Sequence, residues 1–198
     1  MALLLLAIVA AGAGPAGLGR ATKVVRSADL LRGTSTTKLH QNDMVAENDR
    51  VRTQSSGRVR VVLNDGSILN VGPSSMMTVR VTTATSRAGS LELAYGRVRA
   101  VVTSSAKSPF EVRTATALCG VLGTTLFVDA SRDLTRIANL SDDANSRVRV
   151  VSTNPQAPGE IILLPGQGTS VPLRGTPQPP RRWSPEEIRA ANADTEIP

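Results

Sequence analysis

Aromatic side chains are nearly missing from this sequence: two Phe, one Tyr and one Trp make up 2% of the chain. Without aromatic platforms for bases, single-strand nucleic-acid binding has little chemical basis. The core must therefore be built from Val, Leu, Ile and Ala. Cysteine is as scarce. Cys119 stands alone, so there is no internal disulfide framework. Among Leu118, Gly120 and Val121 it reads as a small buried hydrophobe. The only histidine, His40, sits in a polar stretch and makes a poor metal ligand or base. The sequence shows no metal-ligand cluster, no nucleophile–base pair and no phosphate loop, so it predicts no catalytic residue, metal or cofactor. Ser141-Asp142-Asp143-Ala144-Asn145 lacks the glycine and distal glutamate of a calcium loop and reads as a polar surface loop. Lysine occurs only at 23, 38 and 107, so arginine carries most of the +7 net charge.

What remains is β chemistry. The 198 residues suffice for one domain with a sizeable core, and frequent Val and Thr favour strands. Ser108 to Val128 is the organising stretch. Phe110, Val112 and Thr114 alternate with Glu111 and Arg113, the period of a half-buried strand. Pro109 fixes the start of that strand. Ala117 to Leu122 is apolar and small, Gly123 breaks the run, and Thr124 to Val128 resumes strand chemistry. The stretch reads as the buried turn of an all-β domain. Upstream, the runs Gly57 to Leu63 and Ser67 to Gly72 meet at the turn Asn64-Asp65-Gly66-Ser67. Asp-Gly between strand runs predicts a tight hairpin in which Gly66 takes positive φ.

One pattern recurs. Arg58-Val59-Arg60 returns as Arg97-Val98-Arg99 and as Arg147-Val148-Arg149. Side chains two apart share a strand face, so the valines point inward and Arg58, Arg60, Arg97, Arg99, Arg147 and Arg149 outward. These six are the candidate surface-contact residues, expected to be mainly solubilising. The unequal intervals exclude a strict repeat array but suit a layered β structure.

The ends differ from the middle. Ala2 to Ala13 is apolar, precedes Gly14-Pro15, and resembles the core of a secretory signal without its basic n-region. It is too short to span a bilayer of about 30 Å, so export with no stable membrane span after signal removal is expected. The segments are 1–20 signal-like, 21–46 an N-terminal extension with a strand near Thr22 to Arg26, 47–173 the β domain, and 174–198 a Pro-rich linker with a short helix. Ser184-Pro185-Glu186-Glu187 supplies an N-cap serine, proline at the first helical position and the third-position glutamate of a capping box.

From about Glu47 to Pro172 the chain resembles the FecR domain, the periplasmic sensing module of bacterial iron-uptake regulators. The resemblance rests on Asp49-Arg50-Val51-Arg52-Thr53; Leu63-Asn64-Asp65-Gly66-Ser67 with Val71-Gly72-Pro73-Ser74-Ser75; Gly96-Arg97-Val98; Pro109 to Thr114 with Val121-Leu122-Gly123-Thr124; and Leu164-Pro165-Gly166-Gln167. It implies that Asp65, Gly66, Gly96, Phe110, Gly123, Thr124 and Gly166 are structural motif positions. Three features depart from the family pattern. Asn48 stands where glycine is usual. Leu126 stands where an aromatic is common, with Phe127 one place later. The acidic loop at Asp142 and Asp143 takes the place of a short Glu-Gly hairpin. The resemblance implies an all-β, solenoid-like domain of stacked strands with no catalytic residues. It also implies a stand-alone exported module, periplasmic or extracellular, without the sigma-factor-holding domain of complete regulators. Such a module binds an envelope protein, for instance by strand addition at an open edge. A glycan or anionic-envelope ligand on the arginine faces is the alternative, and nucleic acid is not expected.

Overall fold

The computed structural model describes residues 17–81, 89–103 and 110–197. The signal-like run Ala2–Ala13, the strand start at Pro109 and most of the expected connection from Thr83 to Ser90 lie outside the described residues. In chain order the strands are β1 (Gly17–Val25), β2 (Ala28–Arg32), β3 (Ser35–Lys38), β4 (Met44–Ala46), β5 (Arg50–Thr53), β6 (Arg58–Leu63), β7 (Ile68–Val71), β8 (Met76–Val81) and β9 (Gly89–Val101). They continue as β10 (Phe110–Arg113), β11 (Ala117–Val121), β12 (Thr125–Ala130), β13 (Leu134–Asn139), β14 (Val148–Ser152), β15 (Glu160–Leu163), β16 (Gln167–Pro172) and β17 (Arg181–Arg182), followed by helix α1 (Pro185–Thr195).

The strands form two sheets that share β9. Sheet I runs β4-β1-β6-β7-β9-β12-β13-β16-β17. Sheet II runs β3-β2-β5-β8-β9-β10-β11-β14-β15. Each pairing is antiparallel except β9 with β10. The chain crosses between the sheets every one or two strands and so builds outward from β9 in layers, an all-β, solenoid-like stack that does not close on itself. β1 lies between β4 and β6 within sheet I, and β2 lies between β3 and β5 within sheet II. Residues expected to form a separate extension are therefore part of the β body, and β1 starts inside the segment expected to be signal-like.

Alternation explains the core. Val59, Val61, Leu69, Val98, Leu126 and Ile137 point inward from sheet I. Val51, Met77, Leu91, Leu93, Val112 and Val150 point inward from sheet II, and all belong to one buried cluster. Burying a side chain of this size contributes about 1.5–3 kcal/mol, and with so few rings available the β-branched residues supply most of the cohesion. Polar groups near the core are tied down. Asp29 is buried and accepts from Lys38, Arg52 and Gln54. Its hydrogen bond from Lys38, helped by the one from Arg52, holds the carboxyl below its usual range. Buried Asp49 accepts from the Ala46 N–H and from Arg32.

β9 passes from one sheet to the other by bending at Gly96, where φ is +91°. Its inward residues are Leu91 and Leu93 before the bend, Val98 and Ala100 after it. The parity changes, and the register with β8 shifts between Met76 and Met77. An irregularity of this kind re-aims the strand so that both halves keep their apolar face on the core.

The stretch expected to hold strand runs about a buried turn is three strands, the turn itself being replaced by β11. Cys119 and Gly120 lie in the middle of β11, and the corners fall at Thr114–Thr116 and Leu122–Thr124. A continuous apolar run between glycines fits a turn or a fully buried strand equally well, and here pairing on both sides decides for strand. The hairpin after β12 forms at Ser131–Asp133, closed by the Ser131 N–H to the Leu134 carbonyl. The acidic loop lies one strand later, between β13 and β14.

Burial pushes the Cys119 thiol up to about 12, and the side chain is fully covered. A thiol-reactive dye should therefore label the native protein slowly and the denatured protein fast. Rapid native labelling would show that β11 opens.

Candidate functional site

Two outer faces carry the chemistry. On sheet I the register sets Arg60, Asn70, Arg99, Phe127, Ala138, Gly168 and Arg181 side by side across seven strands. The neighbouring row holds Arg97, Asp129, Arg136 and Ser170, and Arg58 stands two residues from Arg60 on the same face. Helix α1 lies over these rows.

Its start is sequence-encoded. Ser184 accepts from the Glu187 N–H, and Glu187 accepts from the Ser184 N–H. Arg181 donates to the same carboxylate. The hydrogen bond from Arg181, with the Ser184 N–H second, holds the Glu187 carboxyl down at about 2. A depressed carboxyl favours the docked start at any pH above the ordinary glutamate value, ~4.3. That contribution is lost as pH falls through the folded value of about 2. Trp183 emission should report the loosening on acidification, and Glu187→Gln should remove this component of the pH response. An unchanged acid profile in that variant would show that the pair does not hold the helix.

The side of α1 against the sheet is small and apolar. Trp183 meets Phe127 edge-on, with ring centroids 5.9 Å apart and planes at 67°. The indole lies on Gly168, where a Cβ would come within 2.0 Å of Nε1. Ala191 packs with Phe127 and Ala138. The end of the helix is polar. Arg58 Nη2 donates to the Ala193 carbonyl at 3.5 Å, Arg60 Nη2 to the Ile197 carbonyl at 3.1 Å and Arg99 Nη1 to Asn192 Oδ1 at 3.0 Å. Arg97 pairs with Asp194 at 3.0 Å. The last turn of α1 has no basic residue of its own, and the sheet supplies the positive charge that a helix C-terminus favours. These four arginines therefore anchor the helix, a role beyond the solubilising one expected of them. Next to the helix is a cleft of about 300 Å³, lined in part by Asp129, Arg136, Arg181 and Glu187.

The other two arginines are on sheet II. Arg149 forms a two-pronged pair with Glu160, and Arg147 donates to the Ala144 and Ser146 carbonyls. They border a row of Glu111, Gly120, Arg149 and Ile162. Gly120 leaves a dent there, because a Cβ at that position would meet nothing within 4 Å. Leu122, Ile162 and Leu164 are exposed nearby, at 54%, 44% and 43%, and the cleft that Leu122 and Ile162 share with the two arginines measures about 360 Å³. β15 is the last strand of sheet II and pairs only with β14 among the described residues. The opposite edge strand, β3, reads Ser-Thr-Thr-Lys and is fully polar.

The motif positions serve the frame and lie apart from one another. Gly66 has φ +85° in the hairpin turn, where Asp65 accepts from the Ser67 N–H. Phe110 is in the core. Gly123 and Gly166 take φ of +57° and +74° at corners. Thr124 joins a buried cluster with Ser146 and Asn139. Asn48, in the place of a usual glycine, has φ +65°, a conformation that asparagine tolerates better than other non-glycine residues. Leu126 faces the core, so Phe127, one residue later, faces out and meets Trp183. Among the described residues no group of three or more His, Cys, Asp or Glu could hold a metal, and no helix is long and apolar enough to cross a membrane.

Residues 49–142 match the model of the FecR protein family; the structure adds β1–β4 and β14–α1 to the same body. Two crystal structures from Parabacteroides distasonis ATCC 8503, each assigned as an anti-sigma factor, share the fold. One aligns with a TM-score of 0.58 at 22% identity, over 71% of this chain and 62% of that one. The other aligns with a TM-score of 0.57 at 19% identity, over 71% and 63%. The match thus spans less than two thirds of either solved chain. No curated protein gives a significant match.

Proposed function

We propose that this protein is an exported, non-enzymatic FecR-type module that binds an envelope protein at the β15 edge of sheet II. The observation that carries the reading is the edge at Glu160–Leu163, unpaired on its outer side among the described residues, beside exposed Leu122, Ile162 and Leu164. An uncovered apolar edge invites another strand. In the ladder, Ser152 donates to the Gly159 carbonyl. By antiparallel alternation the backbone groups of Ile161 and Leu163 then face β14, and those of Glu160 and Ile162 face outward. The anionic-ligand alternative finds less support, because four of its six arginines are engaged by α1 and Arg149 is paired with Glu160. A regulatory role in signalling is consistent with the FecR match and with the anti-sigma assignment of the P. distasonis structures.

Export is supported by Ala2–Ala13. Gly17, Gly19 and Arg20 already pair with β4, so cleavage compatible with the fold falls before Gly17. Intact mass of the protein recovered from a Gram-negative periplasm checks this. An uncleaved chain found only in the cytosol would remove the export reading. For the edge, a photo-crosslinker at Ile162 should trap one protein from the envelope at low and high salt alike, and Ile162→Pro, which removes the outward N–H, should abolish binding without unfolding the domain. Undiminished binding of the proline variant would place the interface elsewhere.

A further inference from the structure

The arginine rows of sheet I hold more positive charge than their own helix neutralises. Arg58, Arg60, Arg97, Arg99 and Arg136 face Asp129, Asp194 and Glu196. Asp129 is divided between Arg97 and Arg136, and Asp194 engages Arg97. Among the described residues Arg58 meets only a backbone carbonyl, Arg60 a backbone carbonyl and the Asn70 amide oxygen, and Arg99 only an amide oxygen, so none of the three has a carboxylate in hydrogen-bond contact. The Nε atoms of Arg58 and Arg99 are buried with no acceptor among the described residues. Burial of Arg99 with Arg60 beside it also holds its guanidinium below the ordinary arginine value. A buried donor without a partner is costly, and charge-assisted bonds to carboxylate are stronger than those to neutral oxygens. The apolar hold on the helix is small: Phe127, Ala138 and Ala191, with Leu140 and Trp183 packed against them.

We propose that this arginine trough is a docking site for the acidic C-terminal end of a partner helix, which α1 occupies in cis and leaves under-neutralised. The partner's chemistry follows from the donors. It carries carboxylates in its last turn where α1 offers Asn192 and bare carbonyls, and small residues on the side that meets Phe127, Ala138 and the Gly168 backbone. Docking of such a helix displaces α1, frees Trp183 from Phe127, and leaves the sheets intact. The site lies on the sheet opposite the β15 edge and is independent of it.

The test uses the full chain, with Trp183, its only tryptophan, as reporter. The probe is a fluorescein-labelled peptide of residues 181–197 carrying Trp183→Phe and Asn192→Asp, so that it is silent in the tryptophan channel and has one added carboxylate. It should raise its own anisotropy and shift Trp183 emission to the red with the same saturation curve. Its affinity should fall about tenfold or more between 50 and 300 mM salt, as screening of an exposed charge cluster requires. A peptide with Asp194→Asn and Glu196→Gln should bind at least tenfold more weakly. In the protein, Arg97→Gln with Arg99→Gln should abolish peptide binding. If that variant does not fold, a salt titration of the wild-type chain replaces it: Trp183 should shift before the β-sheet circular dichroism changes. The proposal is overturned if the peptide fails to move Trp183, if Trp183 shifts only on global unfolding, or if release of α1 yields a concentration-dependent dimer, which would make a second copy's helix the occupant.

Discussion

Gly96→Ala is expected to destabilise the protein by about 3–5 kcal/mol, a large share of a typical 5–15 kcal/mol total. Two effects add. Gly96 holds φ +91° at the point where β9 leaves sheet II for sheet I, and a side chain there is strained. A Cβ would also come within 2.5 Å of the Ser75 Cα. Ser75 cannot give way. It is fully buried, its hydroxyl accepts from the Arg97 N–H and donates to the Pro73 carbonyl, and its own N–H is held by Thr53. Gly66 is the internal control. Its φ is nearly the same, +85°, yet its Cβ would meet only Thr103 Oγ1, at 3.3 Å. Gly66→Ala should therefore cost only about 1 kcal/mol, the backbone part alone. Urea unfolding of the two variants separates strain from close approach. Equal midpoints would show that the Ser75 corner yields.

That comparison also marks what the sequence shows and what it hides. Gly66 is readable because Asp-Gly between two strand runs is local chemistry. The inward valines of β6, β9 and β14 are readable because period-two alternation needs no partner to be recognised. The capping box at Ser184 is readable for the same reason. The bend at Gly96 is not, since it depends on Ser75 arriving from twenty-one positions upstream. Nor is the run at Ala117–Val121, where neighbours on both sides, and no local signal, make a strand of it. The arginine rows show the same limit. Alternation puts Arg58, Arg60, Arg97 and Arg99 on an outer face, but only strand order brings β6 and β9 into one sheet and β14 into the other. Only the folded C-terminus reveals that this outer face is covered. Gly72 and Gly168 would have been a clue, as glycines in or beside a strand often mark close backbone approach. Here they accommodate the Asp194 carbonyl and the Trp183 ring.

Asn139→Leu is expected to cost more than about 3 kcal/mol, although leucine is close in size and more apolar, because it strands several buried groups at 1–3 kcal/mol each. Asn139 is fully buried at the end of β13. Its Oδ1 accepts from the Ser141 N–H at 3.1 Å and from one of the Thr124 and Ser146 hydroxyls, both 3.2 Å away, the other hydroxyl donating to its neighbour, while Nδ2 donates to the Leu163 carbonyl at 3.2 Å. One side chain thereby joins the corner after Gly123, the start of the acidic loop and the end of the edge strand β15. This is also why a threonine follows Gly123: its hydroxyl, bonded to Ser146 as well, completes the cluster. Thr124→Val should cost less, about 1–2 kcal/mol, since Ser146 still satisfies Asn139. The two changes together should cost clearly less than their sum, because groups in one network couple. Additive losses in denaturant unfolding would mean that the cluster is no network, and that β15 owes its position to the hairpin with β14 alone.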